Sequence, residues 1–242
     1  MDADIIIVGS GIGGATTAAA LARSGRRILI LERGERLADA PHCRDPQAIF
    51  QDGRFRPEES WLDGEGRPFN PGNYYYVGGN SKFYGAVLIR YRAEDFRPIR
   101  HMGGTTPGWP VGYEDYEPWY ARAEAMFEVR GTEDDPTDPP RSAPFPHPPV
   151  PDEPEIADLR ARLRRIGLHP SHLPLGVDLD RWLERAKTPW DAFPDTTGAK
   201  MDAESVGIAQ ALRHPNVTLL TGARVAALEA EGDRVTVLRL ED

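Results

Sequence analysis

The sequence predicts an α/β protein with a doubly wound, mostly parallel sheet, and three features near its start support this. The apolar run Ile5 to Val8 is typical of a strand that is buried on both faces. A Gly-x-Gly-x-x-Gly pattern follows, and a second apolar run, Ile28 to Leu31, ends at the acidic residue Glu32. This order of strand, glycine turn, helix, strand and acid is the Rossmann-like fingerprint of dinucleotide binding.

Each glycine of the turn has its own role. Gly9 allows a tight turn off the strand, Gly11 removes a side chain where a pyrophosphate approaches, and Gly14 lets the helix lie close to the strands. The first turn of that helix offers N–H groups to phosphates. Glu32, 23 residues after Gly9, can accept hydrogen bonds from a ribose diol and disfavours the 2′-phosphate of NADP. The competing interpretation is a glycine turn that only packs a βαβ unit.

Composition excludes several classes of protein. The 242 residues carry a formal net charge of −9, which disfavours nucleic-acid binding. The single cysteine, Cys43, forms no internal disulfide, and no Cys/His spacing predicts a metal site. No apolar run reaches the roughly 18 residues of a membrane span, and the first strand leaves no room for an export signal. We therefore expect a cytoplasmic protein without a membrane segment.

Beyond the βαβ unit the pattern is less regular. Residues 34–71 indicate loop, and Ala86 to Tyr91 indicates a short strand. Tyr113 to Val129 has helical spacing, and its aromatic stripe is expected in a core rather than at a cofactor. The stripe consists of Tyr116, Trp119, Tyr120, Ala123 and Phe127.

A proline-rich segment divides the chain. Nine prolines among the 21 residues 134–154 exclude a packed helix or a central strand there. The segment is either a disordered linker or an extended arm along the surface. An amphipathic helix is predicted from Glu155 to Ile166, whereas the pattern from Asp178 to Ala192 is ambiguous.

The last residues predict a return to the sheet. Asp202 to Arg213 indicates a helix, Val217 to Leu220 a third parallel strand, and Arg224 to Ala230 with Arg234 to Leu240 a β-hairpin. No remaining segment supplies a second neighbour for the strand Ile5–Val8. The sheet is therefore expected to be incomplete, with an exposed apolar edge.

A second glycine-rich stretch makes the prediction more specific. The fingerprint together with NYYYVGGNSKFYGA at residues 73–86 resembles the glucose–methanol–choline (GMC) oxidoreductases. Residues 108–113, 120–124, 200–204 and 214–221 extend the likeness over essentially the whole chain, although it matches only the N-terminal half of a typical family member. The resemblance implies an FAD-binding, Rossmann-like domain.

On this basis we predict three parts. Residues 1–100 form the first part of the FAD-binding domain, and residues 101–200 form an irregular, α-rich insertion that includes the proline-rich arm 134–154. Residues 201–242 return to the FAD-binding domain with a helix, a strand and a hairpin.

The resemblance also implies which residues contact the cofactor. The glycine turn would cradle the FAD pyrophosphate, Glu32 would hold the adenosine ribose, and the loop Val77 to Tyr84 would run along the flavin. Val225 would meet the adenine through its backbone, or it is an ordinary strand valine. The predicted cofactor-binding residues are Gly9, Ser10, Gly11, Gly13, Gly14, Glu32, Arg33, Val77, Gly78, Gly79, Asn80, Ser81, Tyr84 and Val225.

Three positions of the loop refine this expectation. Phe83 stands where some family members carry the histidine that attaches FAD covalently, so noncovalent FAD is expected. Tyr84 stands where many members have asparagine, which leaves the contact near flavin N5 open. Lys82 either lies near the flavin or, as the favoured interpretation, is solvated.

The family's reaction is the oxidation of an alcohol or sugar CH–OH group, in which a base takes the hydroxyl proton and a hydride passes to flavin N5. In the family that base is a histidine of the C-terminal half. None of the six histidines here lies in a matching motif, and a surface role is favoured even for His101. We assign no catalytic residue, and we expect the isolated chain to be inactive without a C-terminal half or second subunit. An NAD-dependent dehydrogenase and a non-catalytic nucleotide-binding fragment are the alternatives.

Overall fold

The computed structural model describes residues 2–185 and 191–241, which divide into two compact units. The first unit combines Met1–Gly85 with Asp180–Asp242, and the second is Ala86–Leu179. Part of the ambiguous segment 178–192 lies outside the described residues. The three-part division drawn from the sequence stays a prediction.

The strands and helices of the described residues follow in chain order. The strands are β1 (Ile5–Val8), β2 (Ile28–Leu31), β3 (Trp61–Leu62), β4 (Pro68–Phe69), β5 (Ile99–His101), β6 (Gly104–Thr106), β7 (Val217–Leu220), β8 (Val225–Glu231) and β9 (Arg234–Leu240). The helices are α1 (Ile12–Leu21), α2 (Tyr113–Met126), α3 (Pro154–Arg165), α4 (Leu179–Arg185) and α5 (Ala209–Ala211), the last of which continues a π-helical turn at Ala203–Ile208. None of these helices is long and apolar enough to cross a membrane.

A three-stranded parallel sheet is the frame of the first unit. Its order is β1-β2-β7, with Ile5 opposite Ile28 and Ile28 opposite Val217. Strand β7 is therefore the third parallel strand that the sequence predicts, and β8 and β9 form the predicted antiparallel hairpin. The all-apolar β2 is buried along its whole length, as expected for a central strand covered on both faces.

Helix α1 covers one face of this sheet at very close range. Ala15 and Ala18 of the helix are fully buried against Ile7, Ile28 and other core residues. A Cβ on Gly207 would lie 2.7 Å from the Cβ of Ala15, so the π-helical turn also approaches α1 closely. The small residues of α1 permit this packing because larger side chains would separate the backbones.

The second face of the sheet is covered by side chains that follow β7, whereas its edge at β1 is uncovered among the described residues. Leu29 and Leu31 pack with Ala223 and with Leu238 of β9. Strand β1 pairs on one side only among the described residues, and the side chain of Val8 is 58% exposed. The predicted incomplete sheet is thus observed in the part of the chain that the structure describes.

The second unit holds the proline-rich segment as an extended arm rather than as a free linker. Arg141 of the arm donates to both carboxylate oxygens of Glu124, and the amide of Gly131 donates to the carbonyl of His147. Helix α2 buries Tyr113, Glu124 and the following Phe127.

Two expectations for this unit are wrong. The aromatic stripe of α2 is not uniformly core, because Trp119 is 62% exposed while Glu124 is buried and pairs with Arg90. The buried side of α2 therefore includes Tyr113, Glu124 and the following Phe127 rather than Trp119. Ala86 to Tyr91 is not a strand, since Val87 forms only an isolated bridge with Leu175.

Candidate functional site

The glycine turn between β1 and α1 has the geometry expected of a phosphate-binding turn. Gly9 has a φ of +91°, which favours glycine, and a Cβ on Gly14 would lie 2.0 Å from the carbonyl oxygen of Gly9. A Cβ on Gly11 or Gly13 would instead meet nothing within 4 Å. Gly14 is therefore required by the fold, whereas Gly11 and Gly13 leave open space at the start of the helix.

The first turn of α1 faces that space. Gly11 provides no side-chain cap for the helix, so the first N–H groups have no partner within α1. An anion placed there would meet both these donors and the positive end of the helix dipole. This is the chemistry that a pyrophosphate requires.

Glu32 is buried directly after β2, where its carboxylate links Ser10 of the glycine turn to Gly34. Its Oε2 accepts from the Ser10 amide at 2.9 Å and from Ser10 Oγ at 2.6 Å, and its Oε1 accepts from the Gly34 amide at 2.9 Å. A carboxylate offers about four acceptor positions, so about one is left for a ribose hydroxyl. Glu32 therefore supports the turn itself and keeps about one acceptor position free.

The second glycine loop, residues 77–84, packs directly on the first. The Gly78 amide donates to Ser10 Oγ at 3.0 Å, and a Cβ on Gly79 would lie 3.5 Å from the Cα of Gly11. Gly78 and Gly79 have φ values of +97° and +57°. Two glycine-rich backbones thus border the same open space at Gly11.

The neighbouring Gly34 is a residue that the sequence reasoning missed. A Cβ there would lie 1.9 Å from the carbonyl oxygen of Tyr75, so only glycine lets the chain after β2 pass the residues that lead into the loop. Its one sequence signal is its position two residues after Glu32. That position alone did not predict a contact more than 40 residues away in the chain.

Lys82 of the loop is not solvated, and the favoured interpretation of this residue is wrong. Its Nζ lies 2.9 Å from Asp202 Oδ2 and 3.0 Å from Glu204 Oε2, and only 5% of the side chain is exposed. Burial alone would lower the pKa of Lys82, but these two carboxylates raise it. Lys82 therefore remains a cation, and both of its partners lie at least 120 positions away along the chain.

Phe83 lies in a cluster of aromatic side chains. Its ring stacks on Tyr74 with the ring centroids 3.8 Å apart, and it also contacts Phe55 and Tyr76. The side chain is buried. Phe83 therefore packs as a core residue at the position where some family members carry a histidine that reacts with the flavin.

The remaining residues that were predicted to bind the cofactor have different environments. Arg33 stacks on the ring of Tyr75 at 3.5 Å, and Asn80 Oδ1 accepts from the Tyr74 amide. Val225 packs against the sheet through the cluster of Leu29, Leu31 and Ala223. Val77 is fully buried in the hydrophobic core together with Ala15 and Ala18 of α1.

His101, the one histidine considered for the flavin face, belongs to the second unit. His101 is exposed in the β5–β6 hairpin of the second unit, where its ring nitrogens contact Thr106 Oγ1 and the Gly103 amide. No group of three or more metal-binding side chains is found among the described residues.

Fold and site together define an α/β protein of the dinucleotide-binding class, and comparison with known proteins makes this more specific. Residues 7–55 match the model of the NAD(P)-binding Rossmann-like domain. The chain is 34% identical over 247 residues to 6'''-hydroxyparomomycin C oxidase of Streptomyces lividus, covering 94% of this chain and 42% of that protein. It is 31% identical to paromamine 6'-oxidase of Streptomyces fradiae, covering 94% and 41%.

A solved structure has the same fold. An FAD-dependent oxidoreductase from Chaetomium thermophilum aligns with a TM-score of 0.61 at 16% identity, covering 99% of this chain and 42% of that one. These relatives are GMC-type oxidoreductases, the family that the sequence resembles. The chain spans less than half the length of the two oxidases that it matches.

Proposed function

We propose that the chain is the FAD-binding part of a GMC-type oxidoreductase that oxidises an alcohol or sugar CH–OH group. The observation that carries this proposal is the pairing of two glycine loops around the open space at Gly11. The fingerprint turn alone suits NAD as well as FAD, but the loop at Gly78 and Gly79 has no role in a simple NAD site. Two oxidases among the relatives support the same conclusion.

The residues of the site fit a bound dinucleotide. Gly11 and Gly13 leave room for the pyrophosphate, and the amides at the start of α1 would neutralise its charge. Glu32 with Arg33 would hold the adenosine ribose, and Val225 would flank the adenine. Bound FAD supplies the hydride acceptor of the reaction, while the loop residues hold its position.

The cofactor is proposed to be noncovalent. Phe83 offers no nucleophile, and its stacking on Tyr74 keeps the side chain within the aromatic cluster. FAD would therefore leave the protein on denaturation.

The chemical step is proposed to need residues outside this chain. No histidine of the sequence lies in the family's base motif, and we assign the base to a C-terminal half or a second subunit. The unpaired apolar edge that β1 shows among the described residues is a suitable place for an added strand from that polypeptide. The substrate and electron acceptor stay open, and the cytoplasmic location stays a prediction that cell fractionation would test.

The visible absorption spectrum of the purified chain, with and without added FAD, tests the proposal. A flavin spectrum that is lost from the protein on acid precipitation supports noncovalent FAD binding. Preferential binding of NADH, seen by its fluorescence, would favour the NAD-dependent alternative. Binding of neither cofactor by a folded chain would reject the proposal.

A further inference from the structure

Several contacts tie the second glycine loop to residues 200–205, a segment that contains none of the predicted cofactor-binding residues. The Ala203 amide donates to Ser81 Oγ at 3.0 Å, and Lys82 reaches Asp202 and Glu204. Each of these residues lies more than 115 positions from its partner along the chain. We call residues 200–205 the clasp.

The far end of the loop is held in the same way. Tyr84 Oη donates to the carbonyl of Met201 at 2.7 Å, and Lys200 Nζ donates to the carbonyl of Tyr84 at 2.8 Å. Lys200 also donates to the carbonyl of Phe193 at 2.9 Å and is fully buried. The loop is therefore bonded to the clasp at three of its residues, namely Ser81, Lys82 and Tyr84.

The loop is also held by Ser10, which accepts from the Gly78 amide, and by the packing of Phe83 in the aromatic cluster, but its two glycines remain unfavourable to order. Gly78 and Gly79 adopt positive φ values, and glycine loses more conformational freedom on ordering than any other residue. Burying the charges of Lys82 and Asp202 is unfavourable unless they are paired and hydrogen-bonded. The clasp satisfies these charges only when the loop has the conformation seen here, so it couples the ionic contacts to the loop's shape.

We propose that Lys82 and Lys200 are positioning residues that hold loop 77–84 in its cofactor-binding conformation before FAD arrives. The part that concerns FAD rests on the proposed function, whereas the ordering of the loop does not. When only a fraction of the molecules has the competent loop, the apparent Kd rises by the inverse of that fraction. A loop ordered about a tenth of the time would thus bind about tenfold more weakly.

The test combines hydrogen exchange of the cofactor-free chain with FAD titration. The double variant K82M/D202N removes both charges of the central ion pair at similar side-chain volume, and the amide introduced by D202N keeps an oxygen that can accept from the Ser205 amide. We expect amides of the loop, above all Gly78 and Gly79, to exchange about tenfold faster, with β1, β2 and β7 unchanged. The Kd for FAD should rise about tenfold, in line with the lost fraction of ordered loop.

The matched control is R90M/E124Q, which removes a buried ion pair of the second unit. It should leave both the exchange of the loop amides and the Kd for FAD unchanged. If the control changes loop exchange as much as K82M/D202N does, the effect is general and the proposal is overturned. Unchanged loop exchange in K82M/D202N overturns it as well.

Two further outcomes are separable. If the sheet amides of K82M/D202N also lose protection from hydrogen exchange, the variant Tyr84→Phe tests the proposal instead. It removes only the hydrogen bond from the Tyr84 hydroxyl to the Met201 carbonyl and should still raise the exchange rate of the loop amides about threefold. Unchanged loop exchange in that variant would overturn the proposal. If the wild-type chain binds no FAD, the proposed function fails while hydrogen exchange still tests the clasp.

Discussion

Gly11 and Gly14, at the start of helix α1, have opposite surroundings. Substitutions at these two positions should therefore affect cofactor binding and folding stability separately. A Cβ on Gly14 would lie 2.0 Å from the carbonyl oxygen of Gly9 and 3.2 Å from Ile7 Cγ2. Backbone atoms cannot rotate away, so Gly14→Ala should cost about 3 kcal/mol, at the upper end of the usual range for overpacking. In a chain of 242 residues this corresponds to a loss of about 6–12 °C in Tm.

Gly11→Ala should have the opposite profile. Gly11 has a φ of −63°, which alanine adopts without strain, and nothing lies within 4 Å of its Cβ position. The Tm of the cofactor-free chain should stay unchanged or rise by about 1–3 °C, since alanine restricts the unfolded chain. The new methyl group would occupy the place of the pyrophosphate and cost about 3 kcal/mol of hydrogen bonding, which is about 100-fold in the Kd for FAD.

Differential scanning fluorimetry without cofactor and flavin-fluorescence titration measure the two quantities independently. The reasoning is refuted if Gly14→Ala leaves Tm within about 2 °C of the wild type, since about 3 kcal/mol would then be absent. It is equally refuted if Gly11→Ala lowers Tm as much as Gly14→Ala does. A Gly11→Ala chain that keeps its affinity for FAD would show that the cofactor does not approach this backbone.

Three further predictions follow from buried or partly buried polar groups. Glu32→Gln should lower the free energy of unfolding by about 2 kcal/mol in urea denaturation, because an amide group replaces one acceptor oxygen beside the donors of Ser10 and Gly34; an unchanged midpoint would speak against the hydrogen bonds. Burial lowers the pKa of Lys200 from 10.5 to about 8, so between these pH values the unfolded chain binds more protons than the folded chain and stability rises with pH. The wild type should gain up to about 3 kcal/mol relative to Lys200→Met between pH 8 and 10.5, and parallel pH profiles of the two proteins would contradict this. Asn216→Ala should cost about 1 kcal/mol, because the Asn216 side chain donates to the carbonyls of Ala22 and Arg26 at 3.0 and 2.7 Å; an unchanged urea midpoint would exclude that contribution.

Local patterns predicted the βαβ unit and the hairpin well, because their contacts are short in sequence or repeat with a fixed period. Ile5–Val8 and Ile28–Leu31 are strands with the predicted bounds, and Val217–Leu220 joins them as the third strand. For the proline-rich segment 134–154 the sequence leaves two alternatives, a disordered linker and an extended arm. The ion pair of Arg141 with Glu124 selects the ordered arm, and no local pattern indicates that pair.

Two of the expectations that failed concern buried charged residues. Lys82 is a charged residue in a loop, where a solvated side chain is expected, yet it is buried and forms ion pairs with Asp202 and Glu204. Trp119 has core-like spacing on α2 but is largely exposed, whereas the charged Glu124 of the same helix is buried and paired with Arg90. In both cases the free energy depends on a partner that is far away in sequence.

Local sequence is enough to predict the glycine turn, the acid after β2 and the parallel pairing of the first two strands. These features follow from backbone sterics and apolar periodicity, which act over a few residues. Three contacts are visible only in the folded chain: Gly34 passes the backbone of Tyr75, the second glycine loop borders Gly11, and Lys82 and Lys200 tie this loop to residues 200–205. Such contacts depend on how distant segments fill the same volume, and no local pattern encodes a distance between them.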